Sequence, residues 1–451
     1  MRRGRLAATN EGQNMKNIGL AAAALLASTA IATAGGLDRS GQSTSAIFSD
    51  DGTFNLSFGI VMPSVTGTDT GVGTGSYDVG DNYTQFGFSY TNRVNESFSY
   101  ALIVDQPYGA NTTYSGNPLS DNLAGTMADL SSQAATLVLR YQFGERFSVF
   151  GGLSYEGVEA DVALNGAAYR NAISISAVTA GFNAPGQPGE NNPLSSTVLG
   201  GAMQAIAGGD ATGGAAGALI DGTYGAGTTA TLAGNVGTQG TSFATNGGYN
   251  FSMAEDYSVG YLIGAAYEIP DIALRFAVTY RPETDHSATT VENMFGTTVA
   301  SAVNYVTPAS LNVDFQTGIA ADTLLTAGFR WTDFSAVDVV PTLLGSDLVN
   351  LDDAYRYSLG LARRFNENLA GSISIAYEPT GNGATVSPLG PTDGQLGLTI
   401  GGRYTEGNMS ITGGINYTWL GDAFAGVADQ PVAYFSDNHA IGLGLRAEFT
   451  F

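Results

Sequence analysis

The chain has 451 residues, of which 43 % are hydrophobic and only 13 % are charged, and it includes 62 glycines, 22 tyrosines and 22 phenylalanines. So little charge is unusual for a soluble enzyme, whereas the composition suits a wall with lipid on one side and water on the other. The net charge of −23 makes nucleic acid a poor partner, and the absence of cysteine excludes a lipoprotein or a disulfide scaffold.

The N-terminus predicts an export signal. Lys16 precedes an apolar run over residues 18–31, and Ala32-Thr33-Ala34 fits a small-x-small cleavage site. We expect residues 1–34 to be removed, with residues 1–14 an extra leader that the signal does not need. The alternative, an N-terminal membrane anchor, would require a longer apolar run. The removed segment carries four basic residues and one acidic residue, so the mature net charge of −26 predicts acidic external loops or, alternatively, a cation-preferring pore.

Residues 35–53 are polar and small and show no strand periodicity, so they form either a flexible leader or a plug inside a lumen. From there on, apolar and polar residues alternate with the period of two that is typical of β-strands. The predicted strands comprise residues 54–63, 82–91, 98–105, 133–143, 147–162, 256–268, 272–281, 311–318, 324–334, 355–365, 369–377, 395–404, 409–419 and 438–451.

Six short turns alternate with seven long loops between these strands. The long loops comprise residues 64–81, 107–132, 163–255, 285–308, 336–352, 378–394 and 420–437. Short periplasmic turns, long external loops and an even strand number are typical of outer-membrane barrels. We therefore predict an all-β fold, a transmembrane antiparallel β-barrel of about 14 strands that occupies residues 54–451.

The arginines identify the lumen-facing side of the strands. An arginine on the lipid side near the bilayer midplane would cost roughly 2–4 kcal/mol, so the strand face that carries arginine must face the lumen. On residues 272–281 this face holds Ala273, Arg275, Ala277, Thr279 and Arg281, opposite Ile272, Leu274, Phe276, Val278 and Tyr280.

The lumen arginines fall into two predicted tiers. The first tier, near the periplasmic end, comprises Arg140, Arg275, Arg403 and Arg446. We expect these arginines to hold the N-terminal segment, with Glu448 and the carboxylates of Asp38, Asp50 and Asp51 as acceptors. The second tier comprises Arg281, Arg330 and Arg356, for which a ligand carboxylate is the expected acceptor. The alternative is that every lumen arginine is paired internally or solvated.

The loop over residues 163–255 is too long for a simple connector. It is rich in glycine and alanine, and residues 198–206 and 215–220 are apolar enough for short helices. It is either a flexible low-complexity loop or an exposed apolar surface that binds a hydrophobic ligand before uptake.

The third predicted strand ends in an irregular sequence. Pro107 cannot donate a hydrogen bond to a neighbouring strand and Gly109 weakens a strand, so pairing should fail near them. Alternatively, Pro107 merely ends the strand at the membrane surface, or a gap lies lower, beside Ile103 and Val104.

Catalytic and metal-binding patterns are missing from the sequence. The two histidines, His286 and His439, nearly exclude a histidine metal cluster, and no nucleotide-binding or EF-hand motif occurs. We therefore expect a transporter or pore rather than an enzyme, without metal or cofactor.

The last strand ends on an aromatic residue. Its apolar positions include Phe449 and Phe451, with no polar tail behind them. This end resembles the assembly signal that the barrel-assembly machinery reads on outer-membrane barrels.

The mature chain as a whole resembles the outer-membrane transporters of long-chain fatty acids and hydrocarbons, the FadL family. The resemblance lies in the strand count and in five stretches of sequence: GGLDRSGQSTSAIF from Gly35, Asp105-Gln106-Pro107-Tyr108-Gly109, Thr307-Pro308-Ala309-Ser310-Leu311, Trp331-Thr332-Asp333-Phe334 and the terminal Phe451. It implies that residues 35–53 form a hatch inside the barrel, with Asp38 and Arg39 among its contacts. It also implies that external loops capture apolar ligands, which leave sideways through a gap at the third strand.

The expected function is passive uptake of long-chain fatty acids or other hydrophobic molecules across the outer membrane of a Gram-negative bacterium. The expected partners are this ligand, membrane lipid and, during biogenesis, the barrel-assembly machinery, and the barrel is expected to be a monomer. The alternatives are a general water-filled porin with cation preference and a structural or adhesive barrel whose long loop does the work.

Overall fold

The structure, a computed structural model, describes residues 37–71, 73–190, 194, 196–207, 214–349 and 351–451. The export signal predicted for residues 1–34 therefore lies outside the described residues.

The strands follow the alternating pattern of the sequence. In chain order they are β1 (Thr53–Ser64), β2 (Thr66–Asp69), β3 (Ser76–Asp78), β4 (Tyr83–Asn95), β5 (Phe98–Asp105), β6 (Gly109–Thr113), β7 (Met127–Phe143), β8 (Phe147–Leu164), β9 (Tyr249–Ile269), β10 (Leu274–Arg281), β11 (Thr284–Met294), β12 (Thr297–Thr307), β13 (Ser310–Ala320), β14 (Thr323–Thr332), β15 (Ala354–Arg364), β16 (Leu369–Glu378), β17 (Gln395–Glu406), β18 (Met409–Leu420), β19 (Ala423–Val427), β20 (Gln430–Phe435) and β21 (His439–Thr450).

Fourteen of these strands close into one antiparallel barrel, which confirms the predicted fold class. The ring runs β1, β4, β5, β7, β8, β9, β10, β13, β14, β15, β16, β17, β18, β21 and back to β1. The closing pair is continuous, from Thr53 opposite Thr450 to Ser64 opposite His439. Closure gives each barrel strand a partner on both sides along most of its length, so the wall has no open edge strand.

Side-chain exposure confirms the predicted faces. On β10, Phe276 and Tyr280 are 44 % and 39 % exposed on the outer surface, whereas Arg275 and Arg281 are 8 % and 7 % exposed and face inward. The same alternation holds on β7 and β14, where leucine and aromatic residues point outward and Arg140 or Arg330 points inward.

Four predicted loops contain strands of their own, and the one at 107–132 holds the short strand β6. The predicted loop at 285–308 is instead the hairpin β11–β12, which adds to β9 outside the ring. The predicted loops at 64–81 and 420–437 supply β2, β3, β19 and β20, which form a separate four-stranded sheet. Strand β9 is 21 residues long, about twice what a transmembrane strand needs, so the wall continues beyond the bilayer on this side.

The longest loop is helical. It forms α1 (Gly166–Phe182), α2 (Ser196–Ala207), α3 (Ala215–Tyr224) and α4 (Thr228–Thr245), and the two predicted short helices fall within α2 and α3. Ile175, Leu199, Ile220 and Leu232 bring the four helices together around one small apolar core. The loop is shorter than predicted, because β8 extends to Leu164 and β9 begins at Tyr249. Within the described residues, no helix is both long and apolar enough to span a membrane.

The N-terminal segment, residues 37–52, lies in the lumen against the wall. A short 3-10 helix, Ser45–Phe48, places Ile47 in a buried cluster with inward-facing residues of five barrel strands. Ile47 is 1 % exposed, and the ring of Phe48 meets the ring of Phe150 edge to face at 5.7 Å. Burial of these two side chains stabilises the segment inside the barrel.

Candidate functional site

The third barrel strand is interrupted between β5 and β6. Strand β5 pairs with β4 as far as Val104 opposite Phe88, and with β7 as far as Asp105 opposite Ala134. Pairing with β7 resumes only at Gly109 of β6. Among the described residues, the part of β4 before Phe88 pairs with β1 but with no strand on its other side.

The backbone of the N-terminal segment pairs with the linker between β5 and β6, where Asp38 bridges to Tyr108. The N–H of Arg39 donates to the carbonyl oxygen of Pro107 at 2.8 Å, and the N–H of Gly109 donates to the carbonyl oxygen of Leu37 at 2.9 Å. Proline has no N–H to offer β4, which explains why wall pairing stops here. A Cβ on Gly109 would lie 2.4 Å from Cζ of Arg39, so the close approach of the two chains favours glycine.

A cavity of about 110 Å³ lies at the interruption. On its inner side are the serine hydroxyls of the N-terminal segment, at Ser40, Ser43 and Ser45. On its outer side are Phe58 and Phe86, which are about half exposed on the outer surface of the barrel. The cavity therefore spans the wall between the lumen and the face that would contact lipid.

The interruption lies nearer the external side than Ile103 and Val104, two of the residues predicted to flank it. Ile103 and Val104 are paired with strands on both sides, and both residues line the cavity, so a lateral opening beside them stays a prediction. The unpaired stretch is Gln106 to Tyr108, as predicted from Pro107 and Gly109. Oε1 of Gln106 accepts the N–H of Phe86 at 2.8 Å, which is a side-chain contact across the gap.

The charges that hold the N-terminal segment differ from the prediction. Asp38 forms an ion pair with Arg330, which belongs to the tier predicted for a ligand. Arg330 also donates to Oδ1 of Asn312 at 2.8 Å and to Oε1 of Gln42 at 3.2 Å. Oγ of Ser40 donates to Oδ2 of Asp105 at 2.5 Å, which ties the segment to the end of β5.

The arginines near the periplasmic end pair mainly within the wall. Arg140 forms an ion pair with Glu268, and Arg403 forms one with Glu448 at 2.5 Å. Their predicted acceptors in the N-terminal segment are engaged elsewhere, because Asp38 meets Arg330 and Asp51 accepts the backbone N–H of Arg93. The contact to the segment is instead aromatic, with the guanidinium groups of Arg140 and Arg275 4.7 and 4.5 Å from the ring centre of Phe48.

The remaining predicted residues lie around this centre. Arg39 stacks on Tyr83 at 4.0 Å and donates to Oδ1 of Asn111 at 2.6 Å. Arg446 lines the cavity at the interruption, and Arg356 lines a much smaller cavity together with Asp38 and Arg330.

The external loops pack together at the mouth of the barrel, which the sequence analysis did not predict. The loop between β16 and β17 reaches the far side of the mouth, where Oη of Tyr114 donates to the carbonyl oxygen of Pro388 at 2.6 Å. Leu389 of this loop packs against an outer apolar cluster of Val158, Ala160, Val162, Leu164, Phe243, Tyr249, Phe251, Met253, Ala288, Met294, Val303, Tyr305, Val339 and Leu348. The alternation of Tyr249, Phe251 and Met253 is the sequence signal that would have extended β9 into this cluster.

The sequence matches the family model of the outer membrane transport proteins OMPP1/FadL/TodX over residues 61–451. The fold is similar to the crystal structure of a Pseudomonas aeruginosa FadL homologue, with 12 % sequence identity and a TM-score of 0.60 over 90 % of this chain and 92 % of that chain. It is similar to the Pseudomonas putida toluene transporter TodX, with 15 % identity and a TM-score of 0.57 over 90 % of this chain and 92 % of that chain. It is also similar to the Ralstonia pickettii toluene transporter TbuX, with 13 % identity and a TM-score of 0.54 over 94 % of this chain and 96 % of that chain. At these identities the likeness concerns the fold. Among curated proteins, none matches the sequence significantly.

Proposed function

Because the chain belongs to the OMPP1/FadL/TodX family of outer membrane transport proteins, we propose that it takes up hydrophobic small molecules, such as long-chain fatty acids or hydrocarbons, by passive diffusion. Two of the similar structures are named as toluene transporters, which favours small hydrocarbons among these ligands. The observation that carries the proposal is the cavity at the interrupted third strand, because it passes from the lumen to the lipid-facing surface.

The pathway begins outside the membrane. The helices α1 to α4 carry exposed apolar side chains beyond the barrel wall, Val198 and Leu219 among them, where a poorly soluble molecule leaves water. From there the molecule enters the lumen above the N-terminal segment. The molecule then leaves sideways between Phe58 and Phe86 and enters lipid directly. By this route it does not cross the aqueous periplasmic end of the barrel.

The N-terminal segment acts as the gate of this pathway. It bonds to the third strand on the inner side of the cavity through Arg39 and Leu37, and it is fixed to the opposite wall by Asp38 and Arg330. A molecule in the lumen reaches the cavity when these contacts loosen. We therefore assign the segment a hatch role, with Asp38, Ser40 and Gln42 as its polar anchors.

A reversible tether tests this gate. Oγ1 of Thr44 in the N-terminal segment lies 3.0 Å from Oγ1 of Thr279 on β10, so cysteines at both positions are within reach of a disulfide. The native chain has no cysteine that would interfere. In cells without other family members, oxidised Thr44→Cys/Thr279→Cys protein should take up labelled toluene and oleate far more slowly than the reduced protein.

A matched pair of cysteines provides the control. The hydroxyl oxygens of Thr290 and Ser301 lie 2.9 Å apart in the external hairpin β11–β12, away from the N-terminal segment. Oxidation of Thr290→Cys/Ser301→Cys protein should leave uptake unchanged. Equal uptake by the oxidised and reduced forms of the Thr44/Thr279 variant would refute the gate, whereas no uptake by the native protein would refute transport itself.

A further inference from the structure

Four buried polar atoms in the upper lumen have no hydrogen-bond partner within the described part of the chain. They are Oε1 of Glu156, Nε of Arg281, Nε2 of His286 and Oη of Tyr305. The four residues are 4 %, 7 %, 4 % and 7 % exposed. A buried polar group without a hydrogen bond is destabilising, so four of them in one region call for a partner that is not part of the wall.

The four residues lie on the buried faces of β8, β10, β11 and β12, and Thr307, a partner of Glu156, lies two residues from Tyr305 on the same face of β12. The side chain of Glu156 accepts a hydrogen bond from Thr307 and lies within electrostatic range of Arg281. The rings of His286 and Tyr305 stack with their centres 5.0 Å apart, and Tyr305 lies within electrostatic range of Glu156. Together these four residues form what we call the upper polar site.

The upper polar site lies between apolar and polar surroundings. Tyr305 is itself a member of the outer apolar cluster, next to Val158 and Val303. On the other side, Nη2 of Arg281 donates to the carbonyl oxygen of Gln42 in the N-terminal segment at 3.4 Å. A molecule that descends from the apolar cluster thus meets the polar site just before it meets the gate.

Resting on the proposed transport of hydrophobic molecules, we propose that the upper polar site binds the neutral hydroxyl group of an apolar substrate, such as a phenol or a long-chain alcohol. A hydroxyl donates one hydrogen bond and accepts others, which matches the mixture of groups at the site. Arg281 offers a donor, Glu156 offers an acceptor, and Tyr305 offers both.

His286 adds a second acceptor to the site. Its Nδ1 lies 3.0 Å from Oδ2 of Asp256, and burial lowers the pKa of the imidazole below its usual value. The ring is therefore neutral at pH 7, and with Nδ1–H donating to the carboxylate, Nε2 is left as an acceptor.

The local charges argue against a carboxylate ligand. Arg281 lies in electrostatic range of both Asp105 and Glu156, and Arg330 is already paired with Asp38. A ligand carboxylate would have to compete with these carboxylates for the guanidinium groups and would meet their repulsion in a buried setting. A plain hydrocarbon would avoid this repulsion but leave all four polar atoms unmet.

Three compounds of matched size test the assignment: 4-butylphenol, butylbenzene and 4-butylbenzoate. Native protein should take up the phenol fastest. Tyr305→Phe should slow uptake of the phenol about five- to ten-fold, the equivalent of one hydrogen bond, and leave butylbenzene unchanged. Glu156→Gln should slow the phenol, because it replaces the carboxyl acceptor by an amide, and leave butylbenzene unchanged.

Glu159→Gln is the matched control, since Glu159 lies on the same strand β8 but on the exposed face. It should change none of the three rates. Preference of the native protein for the benzoate, or equal slowing of all three compounds by Tyr305→Phe, would overturn the assignment. If none of the compounds enters, the proposed transport fails instead, and calorimetric titration of the purified barrel with the same three compounds decides the ligand class.

Discussion

Arg330 is the side chain that joins the N-terminal segment to the wall most extensively. It reaches Asp38 and Gln42 of the segment as well as Asn312 of β13. Replacing it by glutamine leaves the carboxylate of Asp38 without its cation in a largely buried place, which should weaken docking of the segment by roughly 1–3 kcal/mol. We expect Arg330→Gln to raise the small-ion conductance of the purified barrel in planar bilayers.

Arg364 offers a control for the same substitution. It pairs with Asp322 at a periplasmic turn, so both partners belong to the wall, and the pair is partly exposed. Arg364→Gln should leave conductance at the native level, since exposed pairs contribute little to stability. Equal conductance for the two variants would show that the ion pair with Asp38 does not hold the segment.

The sequence was sufficient to place the arginines and to name Glu448, the partner of Arg403, as an acceptor, but not to pair the other arginines. The cost of a charge in lipid settles which face an arginine occupies, and this argument needs only the alternation within one strand. The partner of Arg330 lies 292 residues away, on a segment without strand periodicity. Which residues meet across a lumen depends on the tilt and stagger of the strands, and neither can be read from one strand alone.

Strand prediction succeeded where a strand faces lipid and failed where the sheet continues into water. In the membrane, one face must be apolar, so the pattern is strong, and all fourteen barrel strands were predicted. The hairpin β11–β12 was missed because its exposed face is rich in threonine and serine and carries little apolar signal. The helices α1 and α4 were missed for a similar reason, since glycine and threonine are weak helix formers.

Deletion of the helical loop tests whether this loop captures ligand outside the membrane. Leu164 of β8 lies opposite Tyr249 of β9, so a two-residue Asn-Gly turn in place of residues 165–248 would join the two strands directly. The shortened barrel should still assemble and shift in gel mobility on heating, because the helices have their own apolar core. Uptake of labelled oleate should fall several-fold at limiting concentration and stay near the native rate at saturation.

This deletion distinguishes capture of the ligand by the external loop from passage of the ligand through the lumen. Reduced uptake at both concentrations would place part of the passage itself in the loop, whereas unchanged uptake at limiting concentration would remove the capture role. Loss of the heat-modifiable band would show that α1 is required to fold the barrel, since Ala168, Tyr169 and Ala172 also contact the external four-stranded sheet.

At the scale of the whole molecule, β1 has to meet a strand that is almost 400 residues away. Twelve residue pairs join β1 to β21, and the last of them is Thr53 opposite Thr450. Strand pairs this distant in sequence form late and slowly, because a long loop must close before they can pair. The barrel is finished only when the final strand arrives, which makes the C-terminal end a natural place for an assembly signal.

Phe451 lies beyond this last pair, so its removal tests assembly separately from stability. It is 88 % exposed, and its N–H donates to the carbonyl oxygen of Gly52 at 3.2 Å. Deleting an exposed terminal residue should change the stability of the folded barrel by less than about 0.5 kcal/mol. We expect the truncated chain to refold in detergent with a native melting temperature, but to reach the outer membrane of cells at a much lower level. Phe451→Tyr, which keeps an aromatic end, should restore that level. If the truncated chain accumulates normally in cells, the terminal aromatic residue is not the assembly signal; if it also fails to refold in detergent, its role is in the closed wall.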